Sequence, residues 1–378
     1  MSRRNGGARA GRRGSAVRPA DGPLVSFGAG TFTRSSEGSF YLSAPGGAGS
    51  TFIGWASSNI LRYDAVDGTS LALFEGSQTN VCPYSEDLNQ AAWAKTGASI
   101  SGTTGAAPDG EADLCTVAFT ASASDSIMQT ISTGTADAST YLSTVFVRRT
   151  TGSGNIRFQL VNRAGVTSQS SDIAIDTGWK RIEWSSSWGT GATAPQIGLI
   201  NGTAGAAQSV EVWGFDVKIT TALNAPTSYI RTTATSATRS LDVLTYGSAP
   251  SRMATGKWSF ACRPLYGTSD TVASRGATFA FSSTEDDVVN IFTNATQALN
   301  NAVVAYTRTG LSFSRNQALT ITPDCGAFTL TVSGATAGNG TGAVGVDAAF
   351  GTAHLRVGSN SSGVRPLYAR IGEPYAAA

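Results

Sequence analysis

The chain has 378 residues, of which 41% are hydrophobic and only 14% are charged. In typical soluble proteins about a quarter of the residues are charged, so this fraction is little more than half of the usual value. Such a composition disfavours long exposed helices, which are normally coated with Glu and Lys, and favours strands joined by turns. The length exceeds what one hydrophobic core fills, and no apolar run approaches the roughly 18 residues of a membrane-spanning helix, so we expect several domains and no membrane insertion.

The first 20 residues form a basic, glycine-rich arm. It contains no acid and six arginines, which are Arg3, Arg4, Arg9, Arg12, Arg13 and Arg18. Because the whole chain carries a formal charge of +2, the residues after the arm carry about −4. Docking on another protein, a solvated tail and nucleic-acid binding are all open, but no aromatic residue is interleaved to stack on bases, which disfavours nucleic acid.

The arm has no apolar segment of the kind that a secretory signal peptide needs, so we expect synthesis in the cytoplasm without Sec export. Residues 1–22 are predicted to be this arm. Residues 23–83 follow with short apolar pieces (LVSFG, TFTRS, SFYLS, TFIGW) between glycines. We predict a β-rich connector there that packs against its neighbours, because it has too little apolar mass for a core of its own.

Residues 84–245 show the alternation of apolar and polar residues that indicates half-buried strands. In three successive runs the apolar faces are predicted to be Ile156, Phe158 and Leu160; then Ile182, Trp184 and Trp188; then Trp213, Phe215, Val217 and Ile219. One buried face per strand is typical of antiparallel sheets that pack as a sandwich.

Residues 246–378 resume this pattern after the joint RTTATSATRS at 231–240, with apolar faces at Phe328, Leu330 and Val332 and at Leu367, Ala369 and Ile371. The segment DDVVNIFTNATQALNNAVVAY fits helix or strand, and we favour strands. The predicted fold class is therefore all-β: tandem antiparallel β-sandwiches (jelly rolls) behind an extended N-terminal anchoring segment.

No residue pattern points to a catalytic or metal site. The four cysteines (Cys82, Cys115, Cys262, Cys325) are widely spaced, so we expect buried thiols and no zinc site, with a Cys262–Cys325 disulfide as the alternative. The single histidine, His354, is expected to be structural. The acids at Asp109, Glu111 and Asp113 and at 285–287 cluster on turns, where they are solvated or hold a structural calcium ion, and we predict no other cofactor and no enzyme activity.

The run EGSQTNVCPYSEDLNQAAWAKTG, followed by APDGEADLCTVAF, resembles a segment that recurs in structural proteins of tailed bacteriophages and of gene transfer agents. Upstream FTRSSEGSFYLS and LRYDAVDGTSLALFE, and downstream APTSYIRTTATSATRSLDVL, are similar to the sequences that flank it. In those proteins it opens a sandwich similar to carbohydrate-binding modules, and a concanavalin-like or laminin-G-like jelly roll often follows. Physically, Ala107–Gly110 reads as a turn with proline second, and Ser85 or Asp87 as the cap of a short helical turn.

The resemblance implies a virion protein of the fibre or head-spike type, anchored by its N-terminal region and its six arginines to other virion proteins of the capsid or tail. It implies a homo-oligomer, with a trimer favoured, that binds polysaccharide on the host-cell surface without catalysis. The alternatives are a decoration or connector protein that binds no glycan, a polysaccharide-degrading spike, and a free bacterial lectin.

Two tryptophans are candidate platforms for sugar rings. Trp188, in SSSWGTG, lies at the predicted end of a strand among small residues, and Trp93 is the second candidate. For each, an ordinary core or rim position is the alternative, whereas Trp213 and Trp258 are predicted to be core.

Overall fold

The computed structural model describes residues 31–42, 53–66, 69–102, 105–111, 114–131, 140–187, 189–191, 193–220, 226–246, 257–266, 276–280, 288–291, 295–300, 303–309, 311–324, 329–335, 340–343, 355–357, 367–372 and 375–376. These residues form strands, bridges and turns, which confirms the predicted all-β class. Within the same ranges, no helix has the length and apolar character needed to cross a membrane. The arginine arm and the residues up to Gly30 lie outside the described part.

Six short strands precede the first sandwich: β1 (Thr31–Thr33), β2 (Gly38–Tyr41), β3 (Ile53–Ala56), β4 (Arg62–Val66), β5 (Thr69–Phe74) and β6 (Gln78–Asn80). β2 and β3 pair as an antiparallel ribbon, as do β4 and β5. This segment thus has the predicted strand character, although its strands do not all belong to one unit.

The first sandwich contains β7 (Trp93–Thr96), β8 (Ala98–Gly102), β9 (Cys115–Phe119), β10 (Ser126–Thr130), β11 (Thr140–Gly152), β12 (Asn155–Val161), β13 (Thr167–Gln169), β14 (Ile173–Ala174), β15 (Lys180–Ser187), β16 (Gln196–Asn201) and β17 (Gln208–Thr220). The front sheet has the order β13-β12-β16-β10-β7, with β14 also paired to β12. The back sheet has the order β15-β11-β17-β9-β8. All of these pairs are antiparallel.

The alternation in β12 places its apolar side chains between the two sheets, as predicted. Ile156, Phe158 and Leu160 are fully buried in a core shared with β10, β11, β16 and β17. Burial of such side chains contributes about 1.5–3 kcal/mol each, so this face stabilises the sandwich together with the other buried residues of the same core.

The predicted face of β17 is wrong at its first residue. Gly214 has a φ of +68° and the register with β11 shifts nearby, which is a β-bulge of the kind that glycine permits. Because the bulge adds one residue, Trp213 points away from Phe215 and Val217 and lies on the outer face of the back sheet. Trp213 is still fully buried, as predicted, but in a different cluster.

The β2–β3 ribbon covers the outer face of the back sheet. There Ile53 joins a buried cluster with Phe146, Trp179, Trp213 and Tyr229, and the Ile53 amide donates to the Pro108 carbonyl at 2.9 Å. This face of the first sandwich is therefore occupied by the chain itself.

The remaining strands are β18 (Ala237–Arg239), β19 (Val243–Tyr246), β20 (Trp258–Pro264), β21 (Gly276–Ala280), β22 (Val288–Ile291), β23 (Ala295–Asn300), β24 (Val303–Thr309), β25 (Leu319–Asp324), β26 (Thr329–Ser333), β27 (Gly340–Ala343), β28 (Leu355–Val357), β29 (Ala369–Ile371) and β30 (Tyr375–Ala376). Together with β1, β4 and β5, all of them except β18 form two sheets. One is seven-stranded, β1-β19-β28-β21-β22-β23-β24, and the other is eight-stranded, β27-β26-β25-β20-β29-β5-β4 with β30 paired to β20.

The second sandwich is thus completed by strands from the beginning of the chain. β1 pairs with β19, and β5 pairs with β29. The first sandwich is inserted between β5 and β19, and its entry and exit strands, β6 and β18, pair with each other. The expected boundaries, a connector at 23–83 followed by two consecutive sandwiches, do not match this pairing, because short strands with little apolar mass complete a distant sheet.

Other expectations for the second sandwich hold where the structure describes it. The segment in which helix and strand competed forms β22, β23 and β24. Leu330, Val332, Leu367, Ala369 and Ile371 are all buried in one core.

Cys82, Cys115 and Cys262 are buried and belong to no disulfide, so the alternative of a disulfide at Cys262 is not formed. His354, Cys325 and Phe328 lie outside the described residues.

A network of buried charges joins the inserted sandwich to the second one. Glu75 accepts from Arg62 at 2.9 Å and from Arg239 at 2.8 Å, and all three side chains are fully buried. Asp242 pairs with Arg62 and, at 3.2 Å, with Arg34. Burial alone would raise the pKa of Glu75, but Arg239 and Arg62 outweigh it and hold that pKa well below its ordinary value.

We predict that Glu75→Gln destabilises the protein by about 3–5 kcal/mol, because two buried guanidinium groups lose their carboxylate. Urea unfolding followed by circular dichroism measures the change. The exposed Glu37→Gln is the matched control and should shift the free energy of unfolding by less than about 0.5 kcal/mol. Equal midpoints for the two variants would contradict this role of Glu75.

A second prediction concerns pH. Burial lowers the pKa of Lys218 to about 8; Asp216 opposes this shift, whereas Arg181 and Arg239 add to it. Between pH 8 and the ordinary lysine pKa of 10.5 the unfolded chain binds more protons, so Lys218 makes the folded state more stable as pH rises. We expect the stability of wild type relative to Lys218→Met to increase by about 1 kcal/mol per pH unit from 8.5 to 9.5.

Urea unfolding of both proteins at each pH tests this, since contributions from buried thiols and tyrosines are common to both and cancel in the difference. The exposed Lys180→Met serves as the control and should give a curve parallel to wild type. A curve of unfolding free energy against pH for Lys218→Met that runs parallel to that of wild type would contradict the prediction.

Candidate functional site

The outward face of the front sheet is the surface of the first sandwich that the β2–β3 ribbon leaves uncovered. In antiparallel sheets, directly paired residues point to the same side, so the registers define rows across the sheet. We call the outward residues of two neighbouring rows the front face: Gln169, Gln159, Gly198, Met128 and Ala94, then Thr167, Val161, Gln196 and Thr130.

The front face is polar and accessible. Gln169, Gln196, Thr130, Thr167 and Ala94 are exposed, whereas Met128 is buried beneath the long side chains around it. Its polar groups are amides and hydroxyls, which form hydrogen bonds with sugar hydroxyls without the desolvation cost of a charge.

A row of hydrogen bonds orders these amides. Arg157 Nη1 donates to Gln169 Oε1 at 2.6 Å, and Gln169 Nε2 donates to Gln159 Oε1 at 2.7 Å. Gln159 Nε2 in turn lies 3.8 Å from Met128 Sδ, a weak acceptor. The side chains are therefore held in one orientation before any ligand arrives.

Trp188 lies outside the described residues, but the described residues that follow it, 189–191 and Thr193, border this face. A Cβ added at Gly189 would lie 3.0 Å from Nδ2 of Asn162, and Asn162 is the residue directly after β12. Thr193 N donates to the Arg163 carbonyl at 3.1 Å in the same turn. Gly189 and Thr193 thus lie at the end of the front sheet where Val161 and Gln196 lie, and the role of Trp188 stays a prediction.

The prediction of a sugar platform at Trp93 is wrong. Its side chain is 1% exposed, packs against Phe215 with ring centroids 5.2 Å apart, and donates from Nε1 to the Tyr84 carbonyl at 3.2 Å. The alternative, a core tryptophan, is what the structure shows, because the turn after Tyr84 directs the indole between the sheets.

The segments that carry the resemblance meet at a second cluster, next to the β2–β3 ribbon. Arg231 lies 4.6 Å from the ring centre of Trp55 and pairs with Asp109 and Glu86, both at 2.8 Å. Trp55 Nε1 donates to Asp109 at 3.1 Å. Since each charge already has a partner within the chain, the cluster is a structural junction between the Tyr84–Asp87 turn, the Ala107–Gly110 turn and the joint.

The turns themselves are only partly as expected. The Gly110 amide donates to the Ala107 carbonyl at 2.9 Å, which confirms a turn with Pro108 in second position. The short helical turn after Asp87 is not formed. Instead Asp87 accepts from the Asn89 amide at 3.1 Å and two successive turns lead into β7, because the aspartate side chain competes with helical hydrogen bonds.

The acids considered for calcium do not form a metal site in the described part of the chain. Asp109 is bound by donors from Trp55 and Arg231, which leaves it no role as a cation ligand. Among the described residues, no group of three or more His, Cys, Asp or Glu side chains could hold a metal ion. Asp113 and the acids at 285–287 fall outside those residues.

The residues that order the front face were not singled out from the sequence. Arg157 and Gln159 are the polar residues that alternate with Ile156, Phe158 and Leu160, and Gln169 lies in a separate strand ten residues after Gln159. The alternation was a usable signal, because it assigns every polar residue of β12 to one outward face, but the partner strand is set by the fold.

No protein-family model and no curated protein matches the chain. Among solved structures it is similar to the CBM22-1 xylan-binding domain of Xyn10C from Paenibacillus barcinonensis, at 12% identity and a TM-score of 0.30 over 38% of this chain and 92% of that one. It is also similar to the CBM22-1–CBM22-2 tandem domain of the same protein, at 10% identity and a TM-score of 0.32 over 80% of this chain and 98% of that one. A third similar structure is an exo-β-agarase, at 12% identity and a TM-score of 0.27 over 42% of this chain and 26% of that one. Likenesses at this level establish neither a family nor an activity for this chain.

Proposed function

We propose that the protein binds polysaccharide through the front face of its first sandwich, without catalysis. The observation that carries the proposal is the contrast between the two outer faces. The back face is filled by the β2–β3 ribbon, whereas the front face presents ordered amides and hydroxyls that remain exposed. A flat polar surface of this kind suits a chain of sugar rings, each of which offers several hydroxyl groups.

A shallow site of this kind binds one chain weakly and becomes effective when many copies act together. We therefore propose that the protein is a virion component of the fibre or head-spike type, a homo-oligomer displayed outward on a particle whose target is a host-cell surface. The sequence segments described above support this, as does the buried charge network, which holds the two sandwiches in a fixed relation.

Polymer conjugation at the front face tests the location of the site. Thr130→Cys, coupled to a 5 kDa polyethylene glycol maleimide in a Cys325→Ser background, places a bulky chain on this face while the other three thiols stay buried. We expect binding to a panel of purified bacterial capsule and O-chain polysaccharides to weaken at least about tenfold, since the polymer excludes any ligand from the surface.

The control is the same conjugate at Ser185→Cys, which is exposed on β15 of the back sheet. It should bind like the unmodified protein. If neither the unmodified chain nor any conjugate binds a polysaccharide, glycan binding is wrong and a decoration or connector role takes its place. Release of reducing ends from a polysaccharide would instead indicate a degrading enzyme.

Deletion of residues 1–22 tests attachment. If the six arginines dock on another virion protein, particles assembled with the shortened chain should carry at most about a tenth of the normal number of copies, because the attractive charges are lost. Quantitative gel analysis of purified particles measures this occupancy. Full occupancy with the shortened chain would show that another region holds it.

A further inference from the structure

We propose that Gln159 is the specificity-determining donor of the front face and reads an acceptor oxygen on the bound sugar: the carboxylate of a uronic acid or the carbonyl of an acetamido group. The inference deepens the proposed function and depends on it. Arg157 and Gln169 are positioning residues that set the orientation of Gln159.

Arg157 starts the row from a fixed position. It is 8% exposed, and its Nε and Nη2 donate to the Asn201 carbonyl at 3.1 and 3.0 Å, while Nη2 also donates to the Ala123 carbonyl at 3.0 Å. Asp172 lies 3.6 Å from Nε, on the side away from the glutamines. A guanidinium group has no acceptor, so the oxygen of Gln169 must face it.

This orientation propagates along the row. With its oxygen on Arg157, Gln169 turns its Nε2 to the oxygen of Gln159 at 2.7 Å. Gln159 is left with its Nε2 group, which lies 3.8 Å from the Met128 sulfur. Each amide oxygen of the row already accepts one hydrogen bond within the protein, so the N–H groups of Gln159 are the donors that the row offers to a ligand.

The charges of the sheet favour the same ligand. The strands β7, β10, β12, β13, β14 and β16 contain no Asp or Glu, so a ligand carboxylate on this sheet meets no like charge from them. Hydrogen bonds to an ionised acceptor are roughly twice as strong as neutral ones. A hydroxyl oxygen is a weaker acceptor for these N–H groups than a carboxylate oxygen is.

The experiment compares three immobilised polysaccharides with the full chain: polygalacturonate, which carries carboxylates; chitin oligosaccharides, which carry acetamido groups; and dextran, which carries hydroxyls alone. We expect at least one of the first two to bind roughly ten times more tightly than dextran. Which of the two binds identifies the source of the acceptor oxygen.

Gln159→Glu replaces the donor by an acceptor of the same shape and should weaken binding of the preferred polymer at least about tenfold. The matched control is Ser185→Glu, which adds the same charge on β15 of the back sheet, outside the front face, and should cost less than about threefold. Gln169→Leu should bring the ratio of affinities for the preferred polymer and dextran close to one while the thermal midpoint is unchanged, a result that a merely structural role would not give.

The outcomes separate this inference from the proposed function. If the wild type binds no polysaccharide of this set or of the wider panel, the proposed function fails and this inference fails with it. If it binds but prefers dextran, or if Gln159→Glu and Ser185→Glu weaken binding equally, the role of Gln159 is overturned while polysaccharide binding stands.

Discussion

The arrangement of the molecule depends on a few carboxylates buried among arginines where the inserted sandwich joins the second one. Glu75 directly follows β5 of the second sandwich. Ser228, on the exit side of the insert, donates to Glu75 through both its amide and its hydroxyl at 2.6 Å. The Asp242 carboxylate accepts a hydrogen bond from the Glu75 amide at 3.0 Å and thus links the segment before the inserted sandwich to the segment after it. Ions removed from water are tolerated only when they are paired and hydrogen-bonded, so these residues specify one relative placement of the segments. With the entry strand β6 paired to the exit strand β18, the insert has two attachments and little freedom to turn.

That placement also decides which surfaces remain available. The β2–β3 ribbon belongs to the segment that the charge network holds, and it reaches the back sheet because the bulge at Gly214 turns Trp213 outward to meet it. Once the ribbon is seated, the back face is an internal interface. The front face lies on the opposite sheet from this interface. The proposed binding surface and the packing surface are therefore on opposite sides of one module.

The contrast between Trp93 and Gln159 shows how far a residue type predicts a site. A large ring near a strand end is a reasonable platform for a sugar, yet burial of its apolar area outweighed exposure, and Trp93 became core. Glutamines in a strand carry no such signal by themselves. They form a surface only because β13 pairs with β12 in the register that brings Gln169 opposite Gln159, and because Arg157 is close enough to orient both.

The sequence alone determined the all-β class, the antiparallel sandwiches, the side of β12 that is buried and the turn at Pro108, because these follow from local alternation and turn chemistry within a few residues. The tertiary structure decided the rest. Three features depend on long-range pairing. β1, β4 and β5 complete a sandwich whose other strands begin more than 160 residues later. Trp213 faces outward, and three polar side chains from two strands act as one row. Local propensity carries no information about which distant strand offers the matching edge, since that choice is made by the burial of apolar faces and the pairing of buried charges across the whole chain.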